Sequence, residues 1–198
     1  MITKNYLRNG LMLVLACSMS ACLKSNPPMK SERYSLPEIQ ASASKDKSAS
    51  QSLVLNKIQL ADYLDSDRIV VQLDDITLHP ARDHLWVDNL SQELSRGLRT
   101  RLSSRLPDTA VVDPLPGTPL NTNSLQITVD QFHGQMQGYA VFSGQWQLLS
   151  ADRKPLQNQS FKFTTPLSES GYPALVRALG NNLDLLSEQI AAQIQRAP

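Results

Sequence analysis

The sequence predicts an α+β domain in which a mixed, mainly antiparallel β-sheet carries two main helices packed on one face. Alternating apolar and polar residues over 125–130 and 140–148 predict two half-buried strands that pair as a hairpin. Leucines at every fourth position over 90–106 predict one helix, and an apolar stripe over 175–194 predicts the second.

Residues 1–21 have the pattern of an export signal peptide. Two basic residues precede an apolar run at 11–16, which is too short for the roughly 20 residues that a membrane-spanning helix needs. Met-Ser-Ala-Cys then resembles a bacterial lipobox. We therefore expect cleavage between Ala21 and Cys22 and lipid attachment at Cys22.

Two alternatives to this N-terminus stay open at the level of the sequence. In the first, the signal peptide is of the ordinary, non-lipoprotein kind and the position of Cys22 is incidental. In the second, the lipid is attached to Cys17, which also ends a lipobox-like tetrapeptide. Acylation of Cys22 predicts firm attachment, because stable anchoring takes more than one chain. Leu23 stands where an inner-membrane lipoprotein usually has Asp, so we expect the periplasmic face of the outer membrane.

Residues 22–52 are predicted to be a lipidated N-terminus and a flexible linker. The stretch 38–52 is rich in Ser and Ala and has no apolar period, so it does not bury enough surface to fold. Tyr34, Leu36 and Pro37 differ from this background, since residues before a proline favour an extended chain. They are suited to lying against another surface; the alternative is a stray apolar cluster in a tether.

Residues 53–198 are predicted to form the folded domain, which is long enough to bury a core. The strands are expected at 53–58, 68–73, 76–79, 110–112, 125–130, 140–148 and around 161–163.

The two helices are predicted from their stop signals as well as from their apolar stripes. The first runs from about Asp88, which is suited to capping a helix, to Leu106, where a proline follows. The second lies near 172–195. Arg96 and Arg99 fall on the side of the first helix away from the leucines, where we expect a solvated face.

Charge and cysteine usage exclude several classes of function. Residues 51–198 carry 12 basic and 15 acidic side chains, which argues against a nucleic-acid-binding surface. Both cysteines lie within the first 22 residues. The body therefore contains no disulfide, cysteine-based zinc site or catalytic thiol.

The sequence contains no convincing catalytic constellation. Nucleotide-binding glycine motifs and a nucleophile elbow are missing from the sequence. His79 and His84 flank a loop beside Asp83 and offer a base and its orienting acid as an alternative. The aspartates within 62–75 lack the calcium-loop pattern, so a solvated turn is the better interpretation. We expect no enzyme activity, no metal and no cofactor.

Several segments in order resemble the ABC-type transport auxiliary lipoprotein family, whose members include lipoproteins associated with membrane integrity. The matching segments are YSLP at 34–37, IQLADYL at 58–64, RIV at 68–70, HLW at 84–86, LQITVDQFHG at 125–134 and GQWQL at 144–148. Departures from the family pattern are Met19 in the lipobox, Val87 and Asp88 before the first helix, and a longer linker.

The resemblance implies a non-enzymatic outer-membrane lipoprotein of an intermembrane lipid transport system of the mammalian-cell-entry (MCE) type. It implies a homo-oligomeric ring that docks an inner-membrane MCE-domain protein extending across the periplasm. Tyr34, Leu36 and Pro37 then become an assembly interface, on the domain itself or on a neighbouring subunit. Two rival hypotheses are a scaffold or assembly lipoprotein of another envelope complex, and a small periplasmic hydrolase that uses His79 or His84.

Overall fold

The computed structural model describes residues 31–39, 49–114 and 122–196. The predicted signal peptide, its cleavage site at Ala21 and the lipid attachment at Cys22 lie outside the described residues, as does most of the serine-rich stretch.

Within the described residues the chain forms nine strands, two helices and a 3₁₀ turn at Asp62–Leu64. The first strands are β1 (Glu32–Tyr34), β2 (Gln51–Leu55), β3 (Gln59–Leu60), β4 (Arg68–Gln72) and β5 (Leu78–Trp86). Helix α1 (Leu90–Arg105) follows, and then β6 (Thr109–Val112), β7 (Asn123–Gln135), β8 (Tyr139–Leu149), β9 (Pro155–Pro166) and α2 (Tyr172–Arg196).

One mixed sheet contains all nine strands, and β7 is its central member. Along one edge β7 pairs antiparallel with β8, which pairs antiparallel with β9, so the predicted meander is confirmed. Along its other edge β7 takes β2, β3 and β4 in succession, all parallel to it. Beyond these, β6 pairs with β2, β5 pairs antiparallel with β4, and β1 pairs parallel with β5.

The core lies between the sheet and the two helices, which confirms the α+β class. On α1 the leucines at 90, 94, 98 and 102 are almost fully buried, and α2 contributes the stripe over 175–190. Phe142 packs edge-on against Phe132 and Phe161, with ring centroids 5.0 and 4.9 Å apart. Each large apolar side chain buried here contributes roughly 1.5–3 kcal/mol to folding. Neither helix combines the length and the apolar character needed to cross a membrane.

Two local predictions differ from the structure. The first helix is capped by Asn89, whose Oδ1 accepts the Ser91 N–H at 3.0 Å, and the expected cap Asp88 forms an ion pair with Arg96 instead. The strand predicted at 76–79 is the longer β5. Polar residues hid its second half, in which only Ala81 and Trp86 are buried and the alternation is interrupted by an irregular register against β4.

The sheet also begins earlier than the predicted domain boundary at residue 53. Glu32–Tyr34 is a strand of the sheet, paired in the order Glu32 with His84 and Tyr34 with Trp86. A single compact unit accordingly starts at Ser31. The described residues before 40 are thus part of the fold.

Candidate functional site at the N-terminal strip

We call residues 34–37 the N-terminal strip. The candidate site is the surface of α1 and α2 on which this strip lies, which we call its seat. The strip leaves β1 and lies against α1 and α2, with Leu36 buried and Ser35 and Pro37 exposed. A pocket of about 450 Å³ lies beside it, lined by residues 35–39 and by α1 residues from Glu93 to Arg101. The predicted strip residues are therefore brought together on their own domain.

Tyr34 joins the strip to the sheet and to a small aromatic cluster. Its carbonyl accepts the Val87 N–H at 2.8 Å, and its hydroxyl lies 3.0 Å from His84 Nδ1 and donates to the Glu32 carboxylate. His84 stacks on Tyr172 with centroids 3.7 Å apart. Burial, followed by the Glu32 carboxylate, raises the pKa of Tyr34 to about 12. The phenol is thus protonated and acts as a donor at neutral pH.

Glu93 on α1 receives the strip's hydrogen bonds. Its side chain is only 3% exposed, and its Oε2 accepts from Ser35 Oγ at 3.1 Å and from the Leu36 N–H at 3.2 Å. Arg96 pairs with the other carboxylate oxygen. The buried charge is therefore fully partnered, as a buried carboxylate must be to be tolerated.

Arg101, two turns further along α1, holds the end of the strip. It is 2% exposed and donates through Nη2 to the Pro37 carbonyl at 3.0 Å and through Nε to Asp184 on α2 at 2.7 Å. Its Nη1 donates to the Gly97 carbonyl at 3.2 Å. One guanidinium thus links both helices and the strip, which uses the fork of donors that arginine offers and lysine lacks.

Two glycines provide the space for this arrangement. A Cβ at Gly180 on α2 would lie 2.8 Å from Pro37 Cδ, and a Cβ at Gly97 on α1 would lie 2.9 Å from Leu183 Cδ2. Glycine inside a helix costs about 1 kcal/mol relative to alanine. At these positions the close approach of α2 to the strip and to α1 offsets that cost.

Sequence reasoning missed Glu93 and Arg101 and named Arg96 and Arg99 instead. Arg96 is half-exposed and pairs with Asp88 and Glu93, and Arg99 pairs with Asp113. These two lie at the surface, as expected. The missed signal is a second period of four, Glu93-Gly97-Arg101, in which each residue comes directly before a buried leucine.

The histidines proposed for catalysis lie on one strand and have different surroundings. His79 and His84 are five residues apart on β5, and the register of β5 against β4 is irregular between them. His84 is engaged by Tyr34 and Tyr172, and His79 lines a second pocket. No group of three His, Cys, Asp or Glu side chains in the described ranges is placed to hold a metal ion.

Comparison with known proteins gives matches over most of the chain. The profile of the family described as ABC-type transport auxiliary lipoprotein component matches residues 34–191. The intermembrane transport lipoprotein PqiC of Escherichia coli (strain K12) is 26% identical over 193 residues, which is 97% of this chain and 100% of that protein. The PqiC of Shigella flexneri matches to the same extent.

Solved structures share the fold. The crystal structure of an uncharacterized protein is 28% identical, covers 83% of this chain and 99% of its own, and superimposes with a TM-score of 0.73. A protein from Xanthomonas campestris, XCC0632, is 17% identical, with a TM-score of 0.67 over 82% of this chain and 94% of its own.

Proposed function

Because the chain belongs to the ABC-type transport auxiliary lipoprotein family, we propose that it is a non-enzymatic outer-membrane lipoprotein of an MCE-type intermembrane lipid transport system. In this proposal it docks an inner-membrane MCE-domain protein at the outer membrane and contributes to the integrity of the envelope. Its working form is a homo-oligomeric ring.

The observation that supports this proposal best is the extent of the likeness to PqiC, which covers 97% of this chain and all of that protein. A likeness of that extent includes the N-terminal segment as well as the folded body. PqiC is an intermembrane transport lipoprotein by name. The proposal carries that role, and its lipid anchor, to this chain.

The N-terminal strip is suited to connecting the lipid anchor mechanically to the folded domain. A protein anchored through acyl chains on Cys22 transmits any pull from the membrane through residues 23–33 to the strip. The strip is fixed there by two buried charged side chains, Glu93 and Arg101, both of which act on its backbone. Such a seat connects the tether to the rigid body of the domain.

The exposed side of the strip is the assembly interface in this proposal. Leu36 is directed into the core, whereas Pro37 and Glu38 stay exposed beside the pocket of about 450 Å³. Arg96 and Thr100 line the same pocket from α1. A neighbouring subunit that reaches into this pocket would contact the strip without displacing it from α1 and α2. Such a contact would join two different surface patches of identical subunits, as a heterologous ring interface does.

The test is a crosslinked pull-down of the tagged full-length protein from membranes, with mass spectrometry of its partners and of its own N-terminus. The proposal predicts an MCE-domain partner together with an acylated Cys22 at the mature N-terminus. Cys22→Ala is the matched control, and it should release the protein into the soluble periplasm and abolish the capture of the partner.

Two outcomes would contradict parts of the proposal separately. An acylated Cys22 with partners from a different envelope complex would overturn the transport role and favour the scaffold alternative. An unmodified Cys22, with the protein still in the membrane fraction, would overturn the anchor.

A further inference from the structure

Large apolar side chains are left exposed mainly at one end of the sheet. Among the described residues eight such side chains are exposed, and five of them share this end: Leu73, Ile76, Leu78, Met136 and Tyr139. We call these five residues the apolar end. Ile76 is 87% exposed and Met136 is 65% exposed, so both project into solvent in the isolated chain.

The register of the sheet brings these five residues together. Strands β4 and β7 run parallel and end side by side, with Gln72 opposite Gln135. The hairpin from β4 to β5 pairs Gln72 with Leu78, and the hairpin from β7 to β8 pairs Gln135 with Tyr139. The Met136 N–H donates to the Gln72 carbonyl at 3.0 Å and so joins the two hairpin tips.

The first hairpin tip is built to present Ile76. Asp74 Oδ1 accepts the Ile76 N–H at 3.0 Å and the Thr77 N–H at 2.7 Å, and the Leu73 N–H donates to the Thr77 carbonyl at 2.9 Å. The turn is thus closed by its own hydrogen bonds and does not depend on burying Ile76. An exposed apolar residue in a turn that is closed by its own hydrogen bonds, close to other exposed apolar residues, is more typical of a contact surface than of incomplete packing.

An apolar groove lies directly behind the tips. It has a volume of about 530 Å³ and is lined by side chains of β4, of the second hairpin and of the start of α2, among them Leu73, Met136, Leu167, Tyr172 and Leu175. The exposed tips and the groove therefore adjoin, with Leu73 and Met136 belonging to both, and the polar residues Gln135 and Glu169 also line the groove.

The direction of β1 indicates what this surface faces. Strand β1 is parallel to β5, and β5 begins at Leu78 in the apolar end, so the upstream end of β1 points toward the apolar end. Ser31 precedes Glu32, the partner of His84, and the irregular register of β5 shortens its rise, so Ser31 lies at most about 17 Å from the level of Leu78. Nine residues separate Ser31 from Cys22, and nine residues span up to about 30 Å. A lipid on Cys22 therefore reaches the level of the apolar end.

We propose that the apolar end lies on the surface of the membrane that holds the acyl chains, with Ile76 and Met136 inserted among the lipids. This inference rests on the proposed function, since it takes the lipid at Cys22 as its starting point. Asp74 and Asp75 lie at the same tip, so the contact favours zwitterionic over anionic headgroups. The domain is then held at two points, the acyl chains and the apolar end, and this fixes its orientation.

The experiment places one fluorescent probe at the apolar end and an identical probe elsewhere. In a chain cleaved before Cys22 and acylated there, an introduced cysteine is the single free thiol, because the sequence has no cysteine after residue 22. Ile76→Cys is labelled with a polarity-sensitive fluorophore. Leu156→Cys is the control, since Leu156 is half-exposed at the opposite end of β9. Both proteins are reconstituted in phosphatidylcholine vesicles that contain a lipid quencher.

The proposal predicts a blue-shifted and quenched label at position 76 and an unaffected label at position 156. Adding anionic phosphatidylglycerol should weaken the effect at position 76. Equal behaviour of the two labels overturns the proposal. A shift at position 76 that is lost when the protein is diluted over more vesicles also overturns it, because that result shows that a second copy of the chain, and not lipid, covers the apolar end. A stronger effect on anionic vesicles also contradicts it.

A second arm separates this inference from the anchor. A histidine tag in place of Cys22 attaches the same chain to nickel-chelating lipid. This attachment does not depend on whether Cys22 of the natural protein is acylated. Quenching at position 76 in this arm supports the contact even if mass spectrometry finds no lipid on Cys22, and its absence overturns the contact even if the lipid is found. Replacing both Ile76 and Met136 by Asp should weaken the binding of the untethered chain to vesicles by about a hundredfold or more, because two inserted apolar side chains are lost and two charges are added.

Discussion

The two ends of β5 differ in whether their side chains are bonded within the chain or exposed. At the Trp86 end, the N-terminal strip is held by the buried charges of Glu93 and Arg101, and every one of those charges has a partner in the same chain. At the Leu78 end, apolar side chains are presented by turns that close without burying them. At the first end the charged contacts are made within the protomer and only the outer side of the strip is left for a neighbouring protein, whereas the second end exposes its apolar side chains directly.

This difference predicts that substitutions at the two ends fail in different ways. Changes at the strip should lower the free energy of unfolding, because they break contacts made within the fold. Changes at the apolar end should leave stability intact and affect contact with the membrane.

Arg101→Ala should have the largest effect. It removes two hydrogen bonds that the buried guanidinium donates, to Asp184 and to the Pro37 carbonyl, so we expect a loss of about 3–5 kcal/mol in the free energy of unfolding. Urea denaturation of the Cys22→Ala form measures this. Arg99→Ala is the control, since Arg99 forms a surface pair that should contribute at most about 1 kcal/mol. Equal losses in the two variants would contradict the role of the seat.

Leu36→Ala should have the next largest effect. Leu36 is 5% exposed and belongs to the main core, so truncation should cost about 2–4 kcal/mol and loosen the strip. Leu156→Ala is the matched leucine truncation at an exposed site, and we expect it to stay within about 0.5 kcal/mol of the wild type. Hydrogen exchange at the Val87 amide, which donates to the Tyr34 carbonyl, would report whether the strip has left the sheet.

Tyr34→Phe tests the strip through alkaline pH. The pKa of Tyr34 is raised from 10.0 to about 12, with burial as the first cause and the Glu32 carboxylate as the second. Because the folded state favours the neutral phenol, this group's contribution to stability is present below pH 10 and is lost as the pH rises from 10 to about 12. The Phe variant should lose less stability over that range than the wild type.

Ile76→Ser should have the smallest effect on folding. Since Ile76 is 87% exposed, we expect the free energy of unfolding to change by no more than about 0.5 kcal/mol. The same variant should partition more weakly to phosphatidylcholine vesicles. A large loss of stability would show that the apolar end belongs to the core and would remove the contrast between the two ends of β5.

The elements that the sequence predicts well are those with a strong period. The leucines of α1, the stripe of α2 and the alternation in β7 and β8 each repeat over several turns or residue pairs, so the pattern survives local exceptions. The family resemblance depended on motifs distributed along the same elements, and the profile match confirms it.

The contacts of the strip were missed although Glu93, Gly97 and Arg101 also repeat every four residues, because that spacing does not show what the side chains contact. Arg101 donates to the Pro37 carbonyl, which is 64 positions away in sequence, and to Asp184, which is 83 positions away. A charged residue on a helix is usually solvated, and local sequence does not reveal a partner so far along the chain. The second half of β5 was missed for the related reason that its neighbour is β1, 50 residues or more upstream.

The most direct test of the whole account is site-specific photo-crosslinking in living cells, with the crosslinking residue placed in turn at Glu38 and at Ile76. Glu38 lies beside the strip and its pocket, and Ile76 lies at the tip of the apolar end. The account predicts that position 38 crosslinks to protein, either a second copy of the chain or an MCE-domain partner, and that position 76 crosslinks to lipid. Protein adducts at position 76, or an absence of protein adducts at position 38, would contradict it.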